Sequence, residues 1–202
     1  MTKSSPLIIG ICICLTSLLL LMGSCRTTKA SVVDEVLTEV LTDESRQYSF
    51  PMEWLGDYAG TLKIYKGVTD TINVDMTLSI QQADATGLYP WIIGYGKDDL
   101  RYYGLEAINA IKGHYRVDEL NSIKLDGYLR GNHFVSKFQV MKSDLLVDYE
   151  KREGGILVRF YVSSSTDFIK TGGEVIGSDT IPNVLTYPIA VYQEAMLKPV
   201  VK

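Results

Sequence analysis

Residues 72–80 read INVDMTLSI, and every second side chain in this stretch is apolar. The apolar positions are Ile72, Val74, Met76, Leu78 and Ile80. Because successive side chains of a strand point to opposite faces, this alternation predicts a β-strand with one buried face and one face in water. Residues 54–64, WLGDYAGTLKI, show the same period, and residues 67–71 between the two stretches are typical of a hairpin loop.

Seven more segments with strand character follow, separated by short turn signals. They span 89–95, 101–108, 113–117, 123–130, 134–140, 145–149 and 156–162. No long helical pattern separates them, which favours successive antiparallel hairpins over parallel crossovers. We expect a meander of nine strands with one apolar face to close into a barrel, because closure leaves no edge strand unpaired. The pattern weakens after residue 162 and predicts an irregular tail, in which 184–195 forms either a last strand or a short helix.

The first strand is rich in aromatic residues and glycine, WLGDYAGTL, and an up-and-down meander follows it. This pattern resembles a lipocalin-type (calycin) barrel over residues 54–162. Trp54 precedes Gly56 here, which reverses the order of the lipocalin signature, so no functional residue is carried over from that family. The resemblance implies an all-β, antiparallel, closed barrel whose interior is either packed or takes a small apolar or aromatic ligand.

The N-terminal sequence predicts export from the cytoplasm. Leu7 to Met22 form an apolar run that follows Lys3, and the run is shorter than the ~20 residues that a membrane-spanning helix needs. It stops at Met22-Gly23-Ser24-Cys25, which resembles the lipobox of bacterial lipoproteins. The resemblance implies cleavage before Cys25 and an acyl lipid, such as palmitate, on that cysteine. The alternatives are an uncleaved anchor helix and an ordinary signal peptide whose cysteine is incidental.

Three parts are therefore predicted: a lipoprotein signal peptide at 1–24, a lipidated tether with a short amphipathic helix at 25–50, and a β-barrel domain with an irregular tail at 51–202. Apolar residues recur at helical spacing in the second part, at Val33, Val36, Leu37, Val40 and Leu41. The helix either packs on the domain or binds a partner. The expected location is the bacterial cell envelope, lipid-anchored to a membrane, with the outer membrane favoured and the domain periplasmic or surface-exposed.

Composition restricts the chemistry of the mature chain. Cleavage leaves 202 − 24 = 178 residues with 20 − 1 = 19 basic and 24 acidic residues, a net charge of −5 that argues against nucleic acid as a partner. Cys25 is then the only cysteine, so neither an intramolecular disulfide nor a cysteine metal cluster is expected. The two histidines, His114 and His133, lack a metal-binding spacing, and no cofactor is predicted.

Tyrosine is the over-used residue, at 13 of 202 positions. Four aromatic residues in strands, Tyr58, Trp91, Tyr95 and Tyr103, are candidate ligand contacts, because such rings combine an apolar wall with a polar tip. The alternative is that they only build the barrel. Trp54 is expected to plug the closed end. An inward-facing Arg101 would need an anionic ligand or an acidic partner, whereas an outward-facing Arg101 would be a solvated residue beside a turn.

Catalysis has little support in the sequence. No G-x-S-x-G motif is present, and the fragment Gly172-Gly173-Glu174 lacks the Lys and Ser/Thr of a phosphate-binding loop. No catalytic residue is assigned. The first hypothesis is a lipid-anchored barrel that binds a small, partly apolar ligand. The second is a structural or assembly lipoprotein with a packed barrel that contacts another envelope protein, and a hydrolase is a weaker third.

The lipobox makes a direct prediction. Cys25→Ala should abolish incorporation of an alkyne-labelled palmitate during growth and should leave uncleaved precursor, because the acyl-bearing residue is gone. Cys12→Ala and Cys14→Ala, which lie within the apolar run, are the matched controls and should label normally. Normal labelling of the Cys25→Ala chain in a gel assay would contradict the lipoprotein interpretation.

Overall fold

The computed structural model describes residues 46–201, and the fold of these residues is all-β. Fourteen strands follow one another along the chain: β1 (Gly56–Tyr65), β2 (Thr71–Ile80), β3 (Tyr89–Tyr95), β4 (Asp99–Asn109), β5 (His114–Asp118), β6 (Lys124–Arg130), β7 (His133–Val140), β8 (Ser143–Arg152), β9 (Gly155–Ser164), β10 (Ile169–Thr171), β11 (Val175–Ile176), β12 (Asp179–Thr180), β13 (Val184–Thr186) and β14 (Ile189–Pro199). Two short 3-10 helices, Met52–Trp54 and Ala110–Lys112, complete the described elements. The predicted signal peptide, Cys25 and the predicted amphipathic helix lie outside the described residues.

Ten of the strands form a closed barrel in the order β1-β14-β9-β8-β7-β6-β5-β4-β3-β2. All neighbours are antiparallel, so the strands run up and down in sequence order until β14 returns to pair with both β9 and β1. The other four strands form two small sheets, β10 with β13 and β11 with β12. The predicted antiparallel meander and its closure are thus confirmed, and the nine predicted strands correspond to β1–β9.

Of the two alternatives for residues 184–195 in the predicted irregular tail, the last strand is the one that forms: residues 189–199 are β14 and close the barrel. Gln193 and Ala195 of β14 face the barrel interior, because they pair with the inward-facing Phe160 and Val158 of the adjacent strand β9. A polar and a small side chain at inward positions interrupt the apolar alternation, so the sequence signal for this strand is weak. The segment nonetheless becomes a strand, because it pairs with β1 on one side and with β9 on the other.

One end of the barrel, at which β1, β3, β5, β7 and β9 begin, is filled by the segment that precedes β1. We call this the plugged end. Phe50 packs its ring against those of Trp54, Tyr115 and Phe134, with centroid distances of 4.9, 4.7 and 5.1 Å. Trp54 is fully buried in a 3-10 helix rather than in β1, in agreement with its expected role as a plug. Since Phe50 and Tyr48 are also buried, the barrel core begins before residue 51.

The opposite end is open along its inner wall, and we call it the mouth. On β2, the inward-facing Met76 is fully buried, Val74 is half-buried, and Ile72 is 41% exposed. On β7, Phe134 is buried at the plugged end, whereas Val140 is exposed. Because the residues of each series face the same side of the sheet, solvent reaches the inner wall progressively toward the mouth.

Gly127 allows the aromatic packing at the plugged end. A Cβ atom at this position would collide with the ring of Phe134, which lies on the neighbouring strand. We expect Gly127→Ala to lower the free energy of unfolding by ~1–3 kcal/mol, the usual cost of overpacking a core. Urea unfolding checks this value. Gly67→Ala, where a Cβ meets nothing within 4 Å, is the control.

Phe134→Leu should partly relieve the strain of Gly127→Ala, because leucine lacks the ring atoms that the new methyl group meets. The double variant would then be more stable than the sum of the two single changes implies. Strict additivity in a double-mutant cycle would show that Gly127 is not constrained by Phe134.

Candidate functional site

The mouth contains three of the five residues that the sequence proposes as ligand contacts: Tyr95, Arg101 and Tyr103. Strand register decides their direction. Arg101 pairs with Ile93 and Tyr103 pairs with Trp91, and both partners belong to the buried core. Residues paired across an antiparallel ladder share a face, so Arg101 and Tyr103 point inward. Tyr102 between them points outward and is 60% exposed.

Arg101 has an acidic partner on its own strand. Its Nε and terminal nitrogen donate to the two carboxylate oxygens of Asp99, at 3.1 and 2.9 Å. This hydrogen-bonded contact raises the pKa of Arg101 and lowers the pKa of Asp99. The two side chains remain 49% and 50% exposed, so solvent screens the pair and it adds little to stability. It does place a forked donor and a carboxylate acceptor at the rim of the mouth.

Two phenol rings lie beside this ion pair. The Arg101 guanidinium lies 4.9 Å from the centroid of the Tyr95 ring, a distance at which a cation is attracted to an aromatic face. Burial raises the pKa of Tyr95 to about 12. Burial also raises the pKa of Tyr103, and Arg101 acts on it in the opposite direction. The mouth thus combines aromatic surface with a charge-neutral polar group, and both phenols stay protonated at neutral pH.

Trp91 lies deeper in the barrel. It is 1% exposed, and its ring packs edge-on against Tyr149 at 5.1 Å. Burial raises the pKa of the Tyr149 hydroxyl. Phe134 contacts Trp91 from the plugged side at 5.9 Å. Trp91 therefore belongs to the packed core below the mouth and is not exposed to a ligand there.

Tyr58, the fifth proposed contact, is at the plugged end. Its hydroxyl donates to the carbonyl of Trp54 at 2.9 Å and accepts from Nζ of Lys151 at 2.9 Å. Lys151 is buried, lies 4.8 Å from the centroid of the Tyr58 ring, and has its pKa lowered by desolvation. Tyr58 thus anchors the plug and solvates a buried amine. The grouping of Tyr58 with the mouth residues was wrong, because alternation gives a residue's face but not its depth in the barrel.

Sequence analysis missed other contributors to the mouth. Asp99 is not among the proposed contacts, although its position two residues before Arg101 puts both on one face of a strand. Phe138 and Phe160 also face inward and are half-buried against the core. Neither has a local signal that distinguishes it from other strand aromatics, since β7 and β9 are brought to the mouth by barrel closure.

Both histidines bind carboxylates on the outer wall. Nε2 of His114 lies 3.0 Å from Asp126, and Nδ1 of His133 lies 3.0 Å from Asp148. Arg159 connects Asp148 to Glu150, which extends the second pair into a charged network. Within residues 46–201, no group of three or more His, Cys, Asp or Glu side chains is arranged to hold a metal ion.

Comparisons with protein-family models, with curated proteins and with solved structures each gave no match. In the part of the chain that the structure describes, no helix has the length and apolar character needed to cross a membrane. The geometry of the barrel is therefore the basis on which function is inferred.

The raised pKa of Tyr95 predicts a pH dependence of stability. An unfolded tyrosine ionises near pH ~10, whereas Tyr95 in the folded barrel ionises at about 12. Between these values the unfolded chain has lost a proton that the folded chain keeps, so the free energy of unfolding falls as the pH rises. Below this window Tyr95 has no such effect, because both states are protonated.

Tyr95→Phe should therefore make the free energy of unfolding less steep between pH 10 and 12. Some slope should remain, because burial also raises the pKa of Tyr149 and Tyr192. Urea unfolding at several alkaline pH values measures the slope, with the outward-facing Tyr102→Phe as control. An unchanged slope in Tyr95→Phe would contradict the burial of this phenol.

Proposed function

We propose that this chain is a membrane-anchored envelope lipoprotein whose lipocalin-like barrel binds a small, partly apolar ligand in the mouth. The observation that supports this function best is the solvent-accessible inner wall, on which Tyr95 and Tyr103 flank the Asp99–Arg101 pair. Small-molecule sites in proteins are typically concave, mostly apolar and equipped with a few polar groups that orient the ligand.

The chemistry of the mouth favours a ligand with one apolar part and one polar part of no net charge. Tyr95 and Tyr103 offer ring surface to the apolar part. Arg101 and Asp99 neutralise each other, so an anion would compete with the carboxylate already bound to Arg101. A neutral or zwitterionic group accepts from the guanidinium and donates to the carboxylate without breaking the pair. This preference follows from the contacts themselves and requires no catalytic group.

The anchoring half of the proposal depends on Cys25 and the lipobox-like sequence before it. Among the described residues, the chain enters the barrel at the plugged end, where Tyr48 and Phe50 are buried. A tether attached to this end leaves the mouth accessible. The expected location remains the bacterial envelope, with the domain periplasmic or surface-exposed.

A second candidate function is an assembly role through contact with another protein of the envelope. The exposed ribbon between β9 and β14 favours it, since every residue from Thr166 to Ala190 is exposed. Ligand binding and assembly use different surfaces, so one chain can perform both.

Binding of a neutral apolar fluorophore, N-phenyl-1-naphthylamine, tests the mouth directly. We expect saturable binding to the purified full chain in excess of that to detergent alone. Tyr103→Ala should weaken binding up to ~10-fold, the equivalent of the ~0.5–1.5 kcal/mol that an aromatic pair contributes. The matched control is Tyr102→Ala, whose ring is next in sequence but on the outer face.

Equal effects of the two substitutions, or no saturable binding at all, would contradict a ligand site in the mouth. Unfolding curves for both variants separate a loss of binding from a loss of fold, because Tyr103 packs against the core and Tyr102 does not.

A further inference from the structure

A ribbon of 25 residues, Thr166 to Ala190, leaves the barrel beside the mouth, and we call it the arm. It contains the paired strands β10 and β13 and the smaller pair β11 and β12. Every residue of the arm is exposed. Nine large apolar side chains in it are 37–68% exposed: Phe168, Ile169, Val175, Ile176, Ile181, Val184, Leu185, Tyr187 and Ile189.

Such a ribbon is poorly stabilised by its own contacts. Each of its two sheets has two strands, which are three residues long in one sheet and two residues long in the other. Isolated two-stranded hairpins are at best marginally stable in water. The ring contact of Phe168 with Tyr187, at 5.8 Å, is the one aromatic pair among the described residues of the arm. Contiguous exposed apolar surface of this kind marks a site of protein or membrane contact.

A groove of about 260 Å³ lies on the outer wall at the base of the arm. It is lined by Lys137, Asp144, Leu145, Leu146, Tyr161, Ser163 and Ile189. Outward-facing tyrosines lie beside the groove. Leu146 pairs with Tyr161, and Tyr161 pairs with Tyr192, so these three side chains are neighbours on the outer wall. The ring of Tyr192 lies 5.1 Å from that of Tyr161 and 5.8 Å from that of Tyr65. The wall beside the arm is therefore an apolar and aromatic surface.

We infer that the occupant of this wall is the arm of a second copy of the chain, in a reciprocal exchange between two barrels. Ser163 and Ile189 line the groove and also form the root of the arm. A two-fold axis near this root places each arm along the groove of the other barrel, so that one self-complementary interface forms. The 25 arm residues and the groove supply the ~20–30 residues per side that a standard stable interface contains.

The charge of the arm argues against a lipid surface as its occupant. Three acidic residues, Asp167, Glu174 and Asp179, and one basic residue, Lys170, give 1 − 3 = −2. Glu174 and Asp179 flank the turn at the tip, where insertion into a bilayer would begin. Carboxylates are costly to place in lipid, and anionic headgroups repel them. The groove on the protein wall is lined by one basic and one acidic residue, Lys137 and Asp144, and imposes neither cost.

Ile189, at the root of the arm, is the arm residue that lines the groove, and the other arm residues, all exposed, do not fill it. To reach that groove the arm would have to reverse direction at its root, where the ladder of β9 and β14 ends at Ser163 and Ile189. A second copy meets no such restriction. This inference does not depend on ligand binding in the mouth.

Photo-crosslinking of the full chain in detergent micelles tests the exchange. Benzoylphenylalanine at position 185, on the arm, is introduced into unlabelled chains, which are then mixed with ¹⁵N-labelled chains. We expect crosslinks from unlabelled arm peptides to labelled wall peptides that contain Leu146 or Tyr161. Crosslinks confined to one chain, crosslinks to other sites, or no crosslinks would overturn the inference.

Sedimentation velocity gives the second readout. Leu185→Asp should weaken dimer formation at least 10-fold, because it puts a charge into the proposed interface. Val68→Asp is the control, since Val68 is a fully exposed apolar residue at the same end of the barrel but outside the arm. Both should unfold like the unmodified chain, as neither side chain contacts the core. A monomer at all concentrations, or an equal effect of the two variants, would overturn the exchange.

Discussion

The hydrogen-bonded seam between β1 and β14 is the constraint on which the rest of this fold depends. Without it, β1 and β14 would each present a free edge, and the inner face of the meander would be open to water. The described residues contain no cysteine, so no disulfide holds the seam. Backbone hydrogen bonds hold it, and glycine permits the close approach: a Cβ at Gly60 of β1 would collide with the Met196 carbonyl of β14. On the other side of β14, a Cβ at Gly155 of β9 would collide with the Leu197 carbonyl.

Closure gives the barrel two chemically different ends. The segment before β1 fills one end with Phe50 and Trp54, and the core there is aromatic and dense. The same segment places Tyr58 beside the buried amine of Lys151, which is a polar interaction inside an otherwise apolar region. No equivalent segment covers the inner wall at the other end among residues 46–201, so Tyr95 and Tyr103 remain accessible to solvent. The asymmetry of the barrel is thus a consequence of what precedes its first strand.

The mouth and the root of the arm belong to the same end of the barrel, because β9 ends there and β14 begins there. A dimer formed by arm exchange would bring two mouths near one interface, while the chain enters each barrel at the opposite, plugged end. Tethering, ligand binding and association would then use separate surfaces. This separation is possible because an antiparallel barrel places alternate hairpins at opposite ends.

The sequence alone determined the strands β1–β9, their antiparallel order and the alternation of faces along them, although the face of Arg101 was left open. These follow from period-two alternation and short turns, which are local properties. It also carries the lipobox-like segment at Cys25, whose processing stays a prediction. The tertiary structure decided that β14 closes the barrel, that Trp91 and Tyr58 lie in the core, and that Arg101 pairs with Asp99. Depth in the barrel, strand partners and the outer groove depend on register between distant segments, and no local pattern of residues encodes that register.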